Sequence, residues 1–212
     1  MLTPISEGVF KIQGVLFTKN KVSGVSVYGE RLDGEFREFD PTHSKFAAAL
    51  VQGMVCDLST KDNVLYLGSS TGTTVSHISD ITNGIVFALD VAPRVMRDLL
   101  FMAEKRNNIA PILADASVPD NYKSRIPAVD WLFQDIAQRD QVGIFLKNLV
   151  FLKKGKQCVL VIKARSMDVS KSPKLVFDEV KALLAKAVKV EQVIDISKYH
   201  TDHCVFVCKK LG

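Results

Sequence analysis

The chain has 212 residues, 47% of them hydrophobic, and a formal net charge of +5. That is enough for one α/β domain with a small extra piece and a sizeable core. The apolar runs, such as residues 157–162, fall far short of the ~20 residues of a membrane span. The opening "MLTPISEGVF" lacks the basic and apolar regions of a secretory signal, so a cytoplasmic or nuclear protein that meets no membrane is expected. The modest basic excess suits a polyanionic partner and equally suits an ordinary solvated surface.

Up to about Phe39 the chain reads as short β-type runs, "GVFKIQGVLFTKN", "GVSVYGE" and "GEFREF", cut by glycines and Asn20. A small antiparallel unit over residues 1–43 is expected. In "DPTHSKFAAALVQGM" Ser44 is a good N-cap and the alanine-rich run favours a helix. From Asn63 onward strands and helices alternate. Strands are expected over 64–67, 85–89, 109–115, 129–135 and 157–164. Helices are expected over 73–81, from Pro93 to about 107, over 138–152 and over 173–187. This order implies a mostly parallel sheet covered on both faces. Strands over 190–196 and 204–209 are joined only by "SKYHTDH". That is too short for a parallel crossover, so one strand of this hairpin runs antiparallel.

The four cysteines, Cys56, Cys158, Cys204 and Cys208, form no CxxC pair and read as reduced core thiols. His200, His203, Cys204 and Cys208 lie close together, but no second ligand cluster exists and a strand pattern fits them better, so no metal is expected. His77 reads as a satisfied structural histidine and Trp131 as core.

Ligands of such sheets bind at the carboxyl ends of the strands. After the first strand comes "GSSTGTT", where Gly68 and Gly72 allow a tight turn and the next helix offers free N–H groups. The loop lacks GxGxxG spacing and the Lys-Ser/Thr ending of a P-loop. Asp90 follows the second strand, at a spacing suited to ribose hydroxyls. Asp115 follows the third strand, Asp135 the fourth and Lys163 the fifth. Singly, Asp115 could be a helix cap and Asp135 a turn former; together the four read as a nucleoside site beside a reacting site.

The stretches "VLYLGSSTGTTVSHISDI", "FQDIAQRDQ", "VIKARSMD" and "HSKFAAAL" resemble fibrillarin, the family of S-adenosylmethionine-dependent RNA 2′-O-methyltransferases of box C/D ribonucleoproteins. The resemblance spans nearly the whole chain and is to the shorter archaeal form, without a glycine/arginine-rich N-terminal tail. It implies a class I S-adenosylmethionine-dependent methyltransferase domain of Rossmann-like fold over residues 44–212. It implies a site as well. Thr73 and Thr74 match threonines at the methionine end of the cofactor, and Gly68 and Gly72 belong to the same loop. Asp90 and Val91 match the pair at the ribose, where the family usually has Glu. Asp115 and Ala116 match the adenine-binding pair. Asp135, Ile136, Ala137 and Gln138 match the segment beside the methyl group. Lys45, Asp135 and Lys163 match charged residues held to be catalytic, and His203 a histidine near the acceptor.

The sequence departs from the family's W-N-P-x-R-S-K, having "FDPTHSK" with Phe39, Asp40 and His43 in place of Trp, Asn and Arg. It carries no aromatic RNA-recognition motif, KH loop or zinc knuckle, so a base-pairing guide RNA would have to choose the target RNA. The resemblance implies further partners: a Nop-domain scaffold protein and an L7Ae-like kink-turn-binding protein. The place of work would be the cytoplasm for an archaeal source and the nucleolus for a eukaryotic one. Three other readings are a cofactor-binding structural subunit without turnover, a nucleotide-linked oxidoreductase, and a protein glutamine methyltransferase. The absent GxGxxG counts against the oxidoreductase.

Overall fold

In a computed structural model, which describes residues 2–212, the protein builds two sheets. The first is antiparallel and holds β1 (Leu2–Ser6), β2 (Val9–Ile12), β3 (Val15–Lys19), β4 (Leu32–Asp33) and β5 (Phe36–Glu38) in the order β1-β2-β3-β5-β4. After α1 (Lys45–Val51) come β6 (Val64–Leu67), α2 (Thr73–Ile81), β7 (Val86–Asp90), α3 (Pro93–Ala103) and β8 (Ile109–Leu113). Then follow β9 (Trp131–Gln134), α4 (Gln141–Asn148), β10 (Gln157–Lys163), α5 (Ala164–Met167), α6 (Pro173–Leu184), β11 (Val188–Asp195) and β12 (His203–Lys210).

The second sheet has the order β11-β12-β10-β9-β6-β7-β8. Its pairs are parallel except those of β12, which runs against both β10 and β11. The expected hairpin is therefore present, inserted so that β12 and not β11 meets the parallel block. Successive residues of β6 feed opposite faces. Val64 and Tyr66 join the core under α1, α2 and α3, while Leu65 and Leu67 join the core under α4 and α6. Val9, Leu16 and Phe39 of the N-terminal unit lie in the first of these cores. The two sheets thus share one apolar interior, and burial of such side chains stabilises each by about 1.5–3 kcal/mol.

Ser44 caps α1 as expected, its hydroxyl accepting the Ala47 N–H. Trp131 is fully buried and its Nε1 donates to Gln157 Oε1 at 3.0 Å. His77 is fully buried between Thr18 Oγ1 (2.8 Å) and the Tyr28 hydroxyl (3.0 Å). Burial first, then the nearby Arg37 and Arg106, hold its pKa well below the usual histidine value, so it stays neutral. The four cysteines are free, and no metal-type cluster occurs among the described residues. No helix there is long and apolar enough to cross a membrane.

Several boundaries differ from expectation. "GVSVYGE" is not a strand. The Glu30 carboxylate accepts the N–H groups of Val27 and Tyr28, so side-chain bonds replace a ladder there. β1 gives little signal in sequence because its residues are mostly exposed and it lies at a sheet edge. α4 spans less than 138–152, because Asp140 caps it by accepting the Gly143 N–H and a tight 3₁₀ turn ends it. α3 stops at Ala103, β11 begins two residues early, and β10 gives way to α5 at Ala164.

Candidate active site

The polypeptide leaves β6 on one side of the sheet and, after β7 and β8, returns to β9 on the other. The loops after β6 and β9 diverge at this point, which opens a crevice at the carboxyl edge. Gly68 makes the close approach possible. Its φ is +84°, and a Cβ there would collide with the Asp135 carbonyl oxygen. The Asp135 N–H in turn donates to the Leu67 C=O at 2.9 Å. Gly72, with φ +96°, turns the backbone into α2 close against Leu99 and Met102.

The crevice is a cleft of about 300 Å³ lined by Gly68, Ser70, Leu89, Asp90, Val91, Ala116, Asp135, Ile136, Ala137, Gln138 and Lys163. All of these except Ser70 and Leu89 are expected from the sequence. Asp90 is held open toward the cleft by two backbone bonds. Oδ2 accepts the Ser70 N–H at 2.8 Å and Oδ1 the Ala92 N–H at 3.0 Å. Each oxygen keeps acceptor capacity for a ligand.

Other expected residues do not line this cleft. Thr73 starts α2 and its C=O accepts the Ser76 hydroxyl. Thr74 is buried with its hydroxyl 2.9 Å from Ser44 Oγ. Asp115 turns onto the Ser117 N–H at 2.8 Å, and that bond first of all keeps its carboxyl below the usual carboxylate range. Asp115 thus forms a turn, not the helix cap it could have been.

At one lip Asp135 lies between two ammonium groups. Lys45 Nζ is 2.9 Å from Oδ2 and Lys163 Nζ is 2.8 Å from Oδ1. The three side chains are between 13% and 20% exposed, enough to be reached and too little to be screened fully by water. Burial pushes the Asp135 carboxyl up, but Lys45 and then Lys163 more than reverse this, and it stands below the usual value. His203 is the cross-strand partner of Lys163 and donates through Nδ1 to the Thr201 C=O, 2.6 Å away. Burial, against the Thr201 bond and with help from Lys45 and Lys163, lowers its pKa.

A family model described as fibrillarin matches residues 3–211. The chain belongs to the fibrillarin family. A fibrillarin-like rRNA/tRNA 2′-O-methyltransferase of Methanocaldococcus jannaschii is 44% identical over 198 residues, covering 90% of this chain and 86% of that protein. A solved fibrillarin/Nop5p complex contains a chain with TM-score 0.93 and 36% identity, over 97% of this chain and 98% of that one. An Aeropyrum pernix fibrillarin solved with natively bound S-adenosyl-L-methionine has TM-score 0.85 and 37% identity, over 98% and 97% of the two proteins.

Two residues of this fibrillarin-family site escape sequence reading. His200, in the turn before β12, approaches the Pro41 carbonyl with Nε2 at 2.9 Å and so ties the hairpin to the loop that leads into Lys45. Gln141 is fully buried at the start of α4, between the Gln138 loop and the end of β10. The only signal for Gln141 is its nearness to "DIAQ", and His200 carries none beyond its closeness to His203.

Proposed function

We propose that the protein transfers a methyl group from S-adenosyl-L-methionine to ribose 2′-hydroxyls of rRNA, and of tRNA, as the catalytic subunit of a box C/D ribonucleoprotein. One observation carries this reading: the Asp135 carboxylate lies between Lys45 and Lys163 at the lip of a nucleoside-sized cleft. The cleft suits the cofactor. Asp90 offers acceptors for ribose hydroxyls, Val91, Ala116 and Ile136 offer apolar walls for a flat base, and Gly68 leaves room where any side chain would collide. In this reading Thr73 and Thr74, at the start of α2, serve the methionine end, Asp115 and Ala116 serve the base, and Ala137 and Gln138 follow Asp135 beside the methyl group.

The cofactor supplies an electrophilic sulfonium methyl group. The protein's part is to align a poor nucleophile and stabilise the charge that develops on it. Lys163 faces the cleft as the ion-pair partner of Asp135 Oδ1 and has ammonium protons to give, so it can orient the 2′-hydroxyl and stabilise its oxygen. Asp135 stays ionised at neutral pH and fixes both lysines. Lys45 completes the charge balance. The hydroxyl proton becomes strongly acidic as its oxygen is alkylated, so a weak base such as Asp135 suffices to take it. His203 sits beside Lys163 on the acceptor side.

A guide RNA pairs with the target RNA and chooses the ribose, while a Nop-domain scaffold protein and an L7Ae-like kink-turn-binding protein place the enzyme on it. The relatives above from named sources are archaeal, which gives a cytoplasmic place of work. Residues 1–43 act as a unit that braces the methyltransferase domain over 44–212. Label transfer from the cofactor tests this in the complex reconstituted with scaffold, kink-turn binder and guide. A matched target should be labelled and a target with a 2′-deoxy at the chosen site should not. Cofactor binding without label on either target leaves only a structural subunit.

A further inference from the structure

Gln141 brings a primary amide, with two N–H donors and an acceptor oxygen, into the interior beside the reacting lysine. It spends them on two segments. Oε1 accepts the Lys163 N–H at 2.9 Å, and Nε2 donates to the Lys163 C=O at 3.2 Å. Nε2 also donates to the Gln138 C=O at 2.8 Å. The backbone carbonyl of Gln141 accepts from Gln134 Nε2 at 2.7 Å. One residue therefore joins the end of β9, the loop beyond it and the end of β10.

The bonds at Lys163 are those a neighbouring strand would make. β9 stops pairing with β10 at Gln134 opposite Leu160, three residues short of Lys163. On that side the backbone of Lys163 would lack a partner, and buried amides need one. The Gln141 amide substitutes for the missing strand residue. β10 consequently stays extended to Lys163, which pairs with His203 on its other side, before the backbone turns into α5.

We propose that Gln141 is a positioning residue for methyl transfer, its amide holding the Lys163 backbone so that the ammonium meets Asp135 at the lip of the cleft. The proposal rests on the methyl-transfer reading above. It also explains why the side chain is an amide. Methionine would fill the space and leave the Lys163 N–H and both carbonyls unpaired. Glutamate would keep the acceptor for that N–H but face two carbonyl oxygens with an anion, until a proton restored one donor. Burial raises such a carboxyl's pKa, so this reprotonation falls in an accessible range.

Gln141→Met and Gln141→Glu test the proposal with two readouts. The first is single-turnover methyl transfer at saturating cofactor in the reconstituted complex. The second is ¹³C NMR titration of the Asp135 carboxyl in the protein alone, where Lys45 and Lys163 touch that carboxyl and His200 and His203 lie near it. Gln141→Met should slow transfer about tenfold or more and move the Asp135 titration upward as the Lys163 charge retreats. Gln141→Glu should be slow at about pH 8.5 and recover relative to wild type at about pH 6.5, where the introduced carboxyl takes a proton; Gln141→Met should not recover. Wild-type rates in both variants, or slow variants with an unmoved Asp135 titration, would overturn the proposal. A wild-type complex that transfers nothing would count against the proposed function, and the Asp135 titration would still decide the part of Gln141.

Discussion

Two aspartates in this protein each lie between two cations. Asp80, on α2, lies between Arg37 and Arg106; Asp135, after β9, lies between Lys45 and Lys163. Around Asp80 every acceptor position is filled. Oδ1 accepts Arg106 Nη1 and the Lys21 N–H, and Oδ2 accepts Arg37 Nε and the Thr18 hydroxyl. Arg37 also donates to Glu30 through Nη1 and to Ser76 through Nη2, and these charged side chains are 2% exposed or less. Around Asp135 each oxygen meets a single ammonium, and each ammonium has further protons to give. A planar guanidinium fork locks a carboxylate from fixed directions, whereas a compact ammonium can turn its donors toward a newcomer. The first cluster joins the N-terminal sheet to α2 and leaves nothing over for a substrate. The second keeps capacity in reserve at the edge of a cleft.

The largest effect expected from this difference is on rate. Lys163→Ala in the assembled complex should lower methyl transfer by ~10²–10⁴, with cofactor affinity nearly unchanged. Single-turnover kinetics beside calorimetric titration of the cofactor would separate the two. The next effect is on stability and belongs to the other cluster. Asp80→Ala leaves two guanidinium groups buried without their shared anion, a change that costs about 3–5 kcal/mol. The thermal midpoint should fall on the order of 10 °C, while the rate per folded molecule should hold. If Lys163→Ala lowered the midpoint as far as Asp80→Ala does, the distinction between a saturated and an open cluster would collapse.

The two clusters are unequally legible in sequence, for a physical reason. Asp135 and Lys163 follow apolar runs that could only be buried strands, and strand ends in an alternating α/β protein gather at one edge. Gly68 is legible for the same reason. Lys45 has no such signal and emerges only through the likeness to a family. The Asp80 cluster is invisible. Arg37 stands in "GEFREF", where a charge on an edge-like strand reads as solvated, and its partners are remote in sequence: Ser76 and Asp80 are 39 and 43 residues away. Glu30 makes matters worse, since its carboxylate turns "GVSVYGE" from an apparent strand into a loop. Local spacing carries strands, helices and turns; it carries no trace of a contact that exists only once two sheets have closed on each other.

The smallest expected effect is on the pH dependence of stability, and it sharpens the comparison because titrating histidines attend both clusters. His77 lies beside the arginines, and His200 and His203 lie beside the lysines. All three are held below the usual histidine pKa, by burial first and then by the neighbouring cations, against the carbonyl bonds of His200 and His203. A histidine whose folded pKa is depressed contributes stability that is fully present above its unfolded value of about 6.5 and is lost as pH falls through the folded pKa. Asp135, depressed among carboxylates, keeps its contribution until much lower pH. Acidification from neutrality should therefore weaken the fold through histidines while Asp135 stays charged. Replacing His200 and His203 together by glutamine should remove part of the slope of unfolding free energy against pH below about 6.5, measured by urea titration, and leave the part due to His77. A double variant with the full wild-type slope would place all of the proton uptake in the Asp80 cluster and leave the lysine cluster electrostatically isolated from the hairpin that covers it.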